Sequence, residues 1–238
     1  MFLKKSNKFY ILSYPRSGNH LLRYLIELYS GYCTSDGSYD FKSLYIKKYA
    51  KKSLTYIIND DFPKHKQIIG VKRHNFKSND KKDYKLIFLI RNINYAIFSQ
   101  LLTDNFKKDL KEKKEEALIE LNQELNLYGT LLKEYNNWKF DKFLIKYEDL
   151  TICNEKNLID LFDFVKVNKN LSSETIFKNY HNYQNETKKI YYENVRVSNY
   201  KKTIELFEQY PFLNNYVSQY VLENYNQKEI KLLNNLYQ

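Results

Sequence analysis

The sequence predicts a three-layer α/β fold in which a central parallel sheet of about four to five strands is flanked by helices. Three observations predict it. Short apolar runs recur along the chain, at 9–14 (FYILSY), 66–72 (KQIIGVK), 84–90 (YKLIFLI) and 142–147 (KFLIKY). They lack strict alternation, as strands buried on both faces do. Stretches of helical periodicity separate them, and parallel neighbours need such crossovers.

Residues 8–31 read KFYILSYPRSGNHLLRYLIELYSG, and the rest of the chain is organised around them. A strand runs to Tyr14 and breaks at Pro15-Arg16-Ser17-Gly18. From Asn19 the apolar residues Leu21, Leu22, Leu25, Ile26, Leu28 and Tyr29 fall at helical spacing, and Gly31 closes the helix. Residues 32–61 are polar and aromatic and read as loop with a short helix. The run at 84–90 is the clearest buried strand. Helices are expected to begin at Ala96, to run over 110–135, and then at about 155–166, 172–180 and 200–224. Trp138 reads as core.

A chain of 238 residues, 43% of them hydrophobic, can bury one sizeable core, so 1–238 is read as a single domain. Lys and Arg number 39 against 28 Asp and Glu, a net charge of +11. The lysines are interleaved with acids, as in KKDLKEKKEE at 107–116, which reads as a solvated helix face. No basic cluster or reading element points to nucleic acid, and because a basic protein also suits a polyanionic ligand or acceptor, the net charge discriminates little. Cys33 and Cys153 stand far apart with no Cys/His cluster, which reads as reduced thiols in a cytoplasmic protein without structural zinc. No apolar run has the length of a membrane span, and the first eight residues contain no signal-peptide core.

A strand, a tight Gly-containing turn and a helix present free backbone N–H groups and a positive dipole end to an anion. Arg16 adds a guanidinium there and Ser17 a hydroxyl. Taken alone, the stretch fits either an anion site or an ordinary turn with an exposed arginine. It does not spell GxxxxGK[ST]. The turn Tyr14-Pro15-Arg16-Ser17-Gly18-Asn19-His20 resembles the 5′-phosphosulfate loop of sulfotransferases that use 3′-phosphoadenosine 5′-phosphosulfate (PAPS). That family has a P-loop-like fold.

Three further segments carry the resemblance in family order. Lys72-Arg73-His74 leaves a strand similar to the family's Ile-Ile-containing strand, which ends in Lys-x-His. There the Lys contacts the transferring sulfuryl group and the His is the general base. A base of near-neutral pKa is what an attacking hydroxyl requires. Arg91 to Ser99 resembles Arg-(Asn/Asp)-Pro-x-(Asp/Asn)-x-(Ala/Val)-x-Ser, which grips the 3′-phosphate. The Arg-to-Ser spacing is kept, with Ile93 in place of the Pro. Tyr147-Glu148-Asp149-Leu150 is identical to the family's Tyr-Glu-Asp-Leu, whose Tyr lies beside the adenine. The family's C-terminal Arg-Lys-Gly-x-x-Gly-Asp-Trp-Lys is absent. The nearest segment, 195–202, lacks both glycines, and it would bring Arg196 to the 3′-phosphate with Lys201 nearby.

The resemblance covers residues 8–150 and implies transfer of a sulfuryl group from PAPS to a hydroxyl or amine without a required metal. Catalysis falls to His74, Lys72 and Arg16. PAPS falls to Tyr14, Pro15, Arg16, Ser17, Gly18, Asn19, His20, Arg91, Ser99, Tyr147, Arg196 and Lys201. Arg16 stands where cytosolic relatives often carry Lys, and an arginine does not act as a proton donor. SYPRSGNHLLRYLIE is similar to bacterial glycan-modifying branches, so a glycan is preferred as acceptor over a lipid, phenol or small metabolite. The competing classes are a small-molecule kinase of the same fold, which needs a Gly-rich Lys-Ser/Thr loop and a Mg²⁺ carboxylate, and a basic nucleic-acid-binding protein.

Overall fold

The computed structural model describes residues 7–37, 53–55, 64–76, 80, 83–101, 111, 113–167, 170–192 and 200–234, with backbone alone at 66, 189–192 and 200–202. Within these, five strands form one sheet: β1 Phe9–Ser13, β2 Tyr32–Ser35, β3 His65–Arg73, β4 Lys85–Ile90 and β5 Lys142–Lys146. Their order is β2-β3-β1-β4-β5, and every pairing is parallel. The α/β class and the parallel sheet are those the sequence predicts. β1 and β4 are interior strands, buried at every residue, which is why they read as unbroken apolar runs.

β2 corrects the reading of residues 32–61 as loop and short helix. It is a four-residue edge strand, YCTS, whose pairing with β3 shifts register twice. Such a strand carries no apolar run for a sequence pattern to register. Of the remainder of 32–61, residues 38–52 and 56–61 lie outside the described residues.

The helices are α1 Asn19–Ser30, α2 Ile93–Leu101, α3 Lys114–Asn137, α4 Tyr147–Ile152, α5 Glu155–Val165, α6 Ser173–Lys178, α7 Tyr180–Tyr192, α8 Tyr200–Gln209, α9 Phe212–Asn224 and α10 Gln227–Asn234. Asn154 and Ser172 cap α5 and α6, accepting from the Asn157 and Thr175 N–H groups. The single helix expected over 200–224 is two, because Pro211 has no N–H with which to continue α8. Most of α7 and all of α10 lie beyond the helices read from sequence. The Asn, His and Thr in α7 are weak helix formers.

The chain divides into two compact units. The first takes in Met1–Ser13, Gly18–Ile90 and Trp138–Val195, and with them the whole sheet, α1 and α4 to α7. Its core joins Phe9 and Ile11 of β1 and Ile87 and Leu89 of β4 to Leu22 and Leu25 of α1 and Leu161 and Phe162 of α5. Trp138 is buried against Phe76, and its Nε1 donates to the Tyr84 carbonyl at 3.1 Å.

Every residue of α1 except His20 is buried, its charged pair included. Glu27 accepts from the N–H and hydroxyl of Thr34 at 2.8 and 2.5 Å, and from those of Thr55 at 2.8 and 2.9 Å. Arg23 donates to the Thr34 hydroxyl and carbonyl at 2.9 and 3.0 Å. Burial pushes the Glu27 carboxyl above its ordinary pKa, and Arg23 and the threonine donors oppose that shift.

The second unit takes in Tyr14–Ser17, Arg91–Asn137 and Arg196–Gln238. Tyr225 covers Gly129 of α3, where a Cβ would lie 2.7 Å from its ring, and donates to the Leu125 carbonyl at 2.5 Å. Phe98 of α2 meets Phe207 of α8 edge to face at 4.9 Å.

Candidate active site

In the first unit, β-sheet register brings the carboxyl ends of the strands to one edge. Leu12 stands opposite Arg73, Ser13 opposite Leu89, and Ile90 opposite Lys146. Ligands of parallel sheets bind at this edge. Pleating sends Lys72 and His74 to one side of their segment and Arg73 to the other. Arg73 is a structural residue. It binds Asp80 bidentately, Nε to Oδ2 at 2.9 Å and Nη2 to Oδ1 at 2.7 Å, and lies over the Tyr10 ring.

His74 turns its Nδ1 to the Ser13 carbonyl oxygen at 2.5 Å. A carbonyl only accepts, so Nδ1 carries the proton in this bond and Nε2 is the basic nitrogen. Burial holds the imidazole below the ordinary histidine pKa; Lys72 adds to this and the Ser13 bond opposes it. Burial also lowers Lys72, with Arg23 contributing and Asp36 opposing. At neutral pH the His74 imidazole is therefore uncharged.

Gly18 is the N-cap of α1, with φ 83. A Cβ here would meet Cδ2 of Tyr147 at 2.4 Å, so the first and fourth motifs touch through the one residue type that leaves room for the ring. No side chain caps α1, and its first turn holds no carboxylate. Its N-terminal N–H groups are the free donors of a helix start. Asn19 is buried and His20 half-buried.

The second unit holds Tyr14–Ser17. The Ser17 N–H donates to the Tyr14 carbonyl at 3.3 Å, closing a turn with Pro15 at its second position. Arg16 at the third has φ 65, the type II pattern, which favours glycine there. The Arg91 Nη1 donates to the Arg16 carbonyl at 2.7 Å. Tyr14 is buried and donates to the Glu124 carboxylate of α3; burial and Glu124 together raise its pKa. Tyr128, one turn on, donates to the Arg91 carbonyl at 2.5 Å.

Asn92 accepts from the N–H groups of Asn94 and Tyr95 at 3.1 and 3.4 Å and so caps α2. Ile93 therefore occupies the first helical position, where proline is favoured and also dispensable. Ser99 is buried on α2, and Arg91 is buried as well.

The Ser13, Ser17 and Asn19 side chains each bury an oxygen without a hydrogen-bond partner. The Ser13 hydroxyl in the first unit and the Ser17 hydroxyl in the second can each donate to an oxyanion, whereas the Asn19 Oδ1 can only accept. Arg196 lies outside the described residues, and the Lys201 side chain is not described. Among the described residues no cluster of His, Cys, Asp and Glu could hold a metal, and no helix is long and apolar enough to cross a membrane. The sequence reading missed Glu124 and Tyr128. Their only signal is a carboxylate and a phenol four residues apart on the face that carries Leu121 and Leu125.

No protein-family model matches the sequence. No curated protein matches it. Among solved structures the chain is similar to a mouse sulfotransferase complexed with PAP, at 18% identity over 75% of this chain and 64% of that one, with a TM-score of 0.45. The chain thus spans less than two thirds of the mouse protein's length. It is similar to the sulfotransferase domain of the curacin biosynthetic pathway at 16% identity over 70% of this chain and 76% of that one, TM-score 0.44. It is similar also to retinol dehydratase in complex with androsterone and the inactive cofactor PAP, at 16% identity over 84% of this chain and 68% of that one, TM-score 0.40.

Proposed function

We propose that the chain is a PAPS-dependent sulfotransferase acting on an acceptor hydroxyl or amine, with a glycan as the preferred acceptor. The observation that carries this is that segments of separate motifs touch within each unit: in the first, Tyr147 lies against Gly18 and His74 bonds to the Ser13 carbonyl; in the second, Arg91 bonds to the Arg16 carbonyl. The segments in contact are those that resemble the family's signatures.

The loop Tyr14 to His20 holds the 5′-phosphosulfate through its N–H groups, the Ser17 hydroxyl and Arg16. Arg91 and Ser99 hold the 3′-phosphate, Tyr147 lies beside the adenine, and Arg196 serves the 3′-phosphate with Lys201 nearby. When bound, PAPS supplies a sulfuryl group whose bond to the 5′-phosphate oxygen breaks as its bond to the acceptor forms. His74 Nε2 takes the acceptor's proton, and its Nδ1–H bond to Ser13 stabilises the imidazolium that results. Lys72 and Arg16 stabilise negative charge, Arg16 as a permanent cation.

Calorimetric titration with 3′-phosphoadenosine 5′-phosphate (PAP), ADP, AMP and ATP–Mg²⁺ tests the reading. PAP is expected to bind selectively, and at 100 times its dissociation constant to stabilise the fold by ~2.7 kcal/mol. Arg91→Ala should weaken it by about 10- to 100-fold. Preference for ATP–Mg²⁺, or no nucleotide binding, overturns the proposal.

A further inference from the structure

Five residues of the second unit close a loop of contacts that ties three motif residues, Tyr14, Arg16 and Arg91, to two residues of α3 outside the motifs, Glu124 and Tyr128. From α3, the Glu124 carboxylate accepts a hydrogen bond from the Tyr14 hydroxyl. The turn leads from Tyr14 to Arg16, whose carbonyl accepts from Arg91 at 2.7 Å. The Arg91 carbonyl accepts from Tyr128 at 2.5 Å, which returns the circuit to α3 one turn from its start. The Tyr14 and Tyr128 rings lie 5.2 Å apart. Tyr14 and Tyr128 are each 1% exposed, so their hydroxyls have no exchange with water to replace these bonds.

We propose that Glu124 and Tyr128 are positioning residues: Glu124, through Tyr14, sets the 5′-phosphosulfate turn, and Tyr128 sets Arg91 for the 3′-phosphate. The nucleotide half of this inference rests on the function proposed above. The two phosphates of the nucleotide are held at the span of one adenosine, so the groups that bind them need a common rigid support. α3, 24 residues long, offers it. The turn needs such a hold, because Arg16 adopts φ 65 at a cost that only its surroundings can offset.

Four variants test this: Glu124→Leu, Glu124→Gln, Tyr14→Phe and Tyr128→Phe. Each is titrated with PAP, adenosine 3′-phosphate and adenosine 5′-phosphate, and amide exchange of residues 14–17 is followed without nucleotide. Glu124→Leu and Tyr14→Phe are expected to weaken PAP and adenosine 5′-phosphate about tenfold, to leave adenosine 3′-phosphate within about twofold, and to speed exchange in the turn. Glu124→Gln keeps an acceptor and recovers most of the loss. Tyr128→Phe shows the opposite preference, weakening PAP and adenosine 3′-phosphate but sparing adenosine 5′-phosphate. Equal weakening of all three ligands, or unchanged binding and exchange in folded variants, overturns the inference. If Glu124→Leu does not fold, the two Tyr→Phe variants, each lacking one oxygen, decide it. Wild-type chain that binds no PAP overturns the sulfotransferase reading and the nucleotide half with it; turn exchange in the same variants then decides whether α3 holds the turn.

Discussion

The His74 ring gives its Nδ1 proton to the Ser13 carbonyl at 2.5 Å, joining the end of β3 to the end of β1 by one hydrogen bond. The bond fixes the tautomer and leaves Nε2 as the basic nitrogen, the atom to which the proposed function gives the acceptor's proton. It also works against the burial that lowers the pKa, favouring the protonated ring that burial and Lys72 disfavour.

With the pKa of His74 below 6.5, the acid limb of kcat/KM should lie below pH 6.5, and His74→Ala should cost about 10²- to 10⁴-fold in rate. Between the lowered folded value and 6.5 the unfolded chain binds more protons at this site. His74 therefore costs stability as pH falls through that window. Wild type should lose melting temperature relative to His74→Gln on acidification. Ring ¹⁵N shifts showing a protonated Nε2 at neutral pH would sink the assignment.

Arg16 combines a left-handed backbone with the charge proposed for the phosphosulfate. Arg16→Gly should separate the two. Relief of φ 65 stabilises the fold by about 1 kcal/mol, a rise of about 2–4 °C in Tm. PAP affinity should fall at least about tenfold. A variant that is less stable and binds PAP normally contradicts both assignments.

Gly18→Ala would place a Cβ 2.4 Å from the Tyr147 ring at φ 83. The left-handed backbone alone costs about 1–2 kcal/mol. Displacing the ring adds to that, so Tm should drop by about 4–8 °C with a parallel loss of PAP affinity. Thermal melting and calorimetry on one sample read both, and an unchanged pair of values rejects the contact.

Asp80→Ala leaves the Arg73 guanidinium, 6% exposed, without its carboxylate. Removing one partner of a buried ion pair costs about 3–5 kcal/mol. Chemical denaturation should show that loss in full. A change below about 1 kcal/mol, the range of exposed pairs, would mean that Arg73 is solvated.

The sequence by itself determined the strands that matter and the order of the motifs on them. β1 and β4 are interior strands, so both faces must be apolar, and a run such as Lys85-Leu86-Ile87-Phe88-Leu89-Ile90 needs no partner to be recognised. The loop was legible because Pro15 and Gly18 punctuate it locally. β2 was not, because an irregular edge strand of four residues acquires its identity only from its pairing with β3. Arg23 and Glu27, four residues apart on a helix, have the spacing of a surface pair. Only the approach of Thr34 and Thr55 supplies the donors and acceptors that let both charges be buried. Glu124 and Tyr128 likewise have the pattern of an ordinary helix face. Their bonds to Tyr14 and Arg91 span 110 and 37 residues of chain, and a polar contact of that separation is set by tertiary packing, not by any local periodicity.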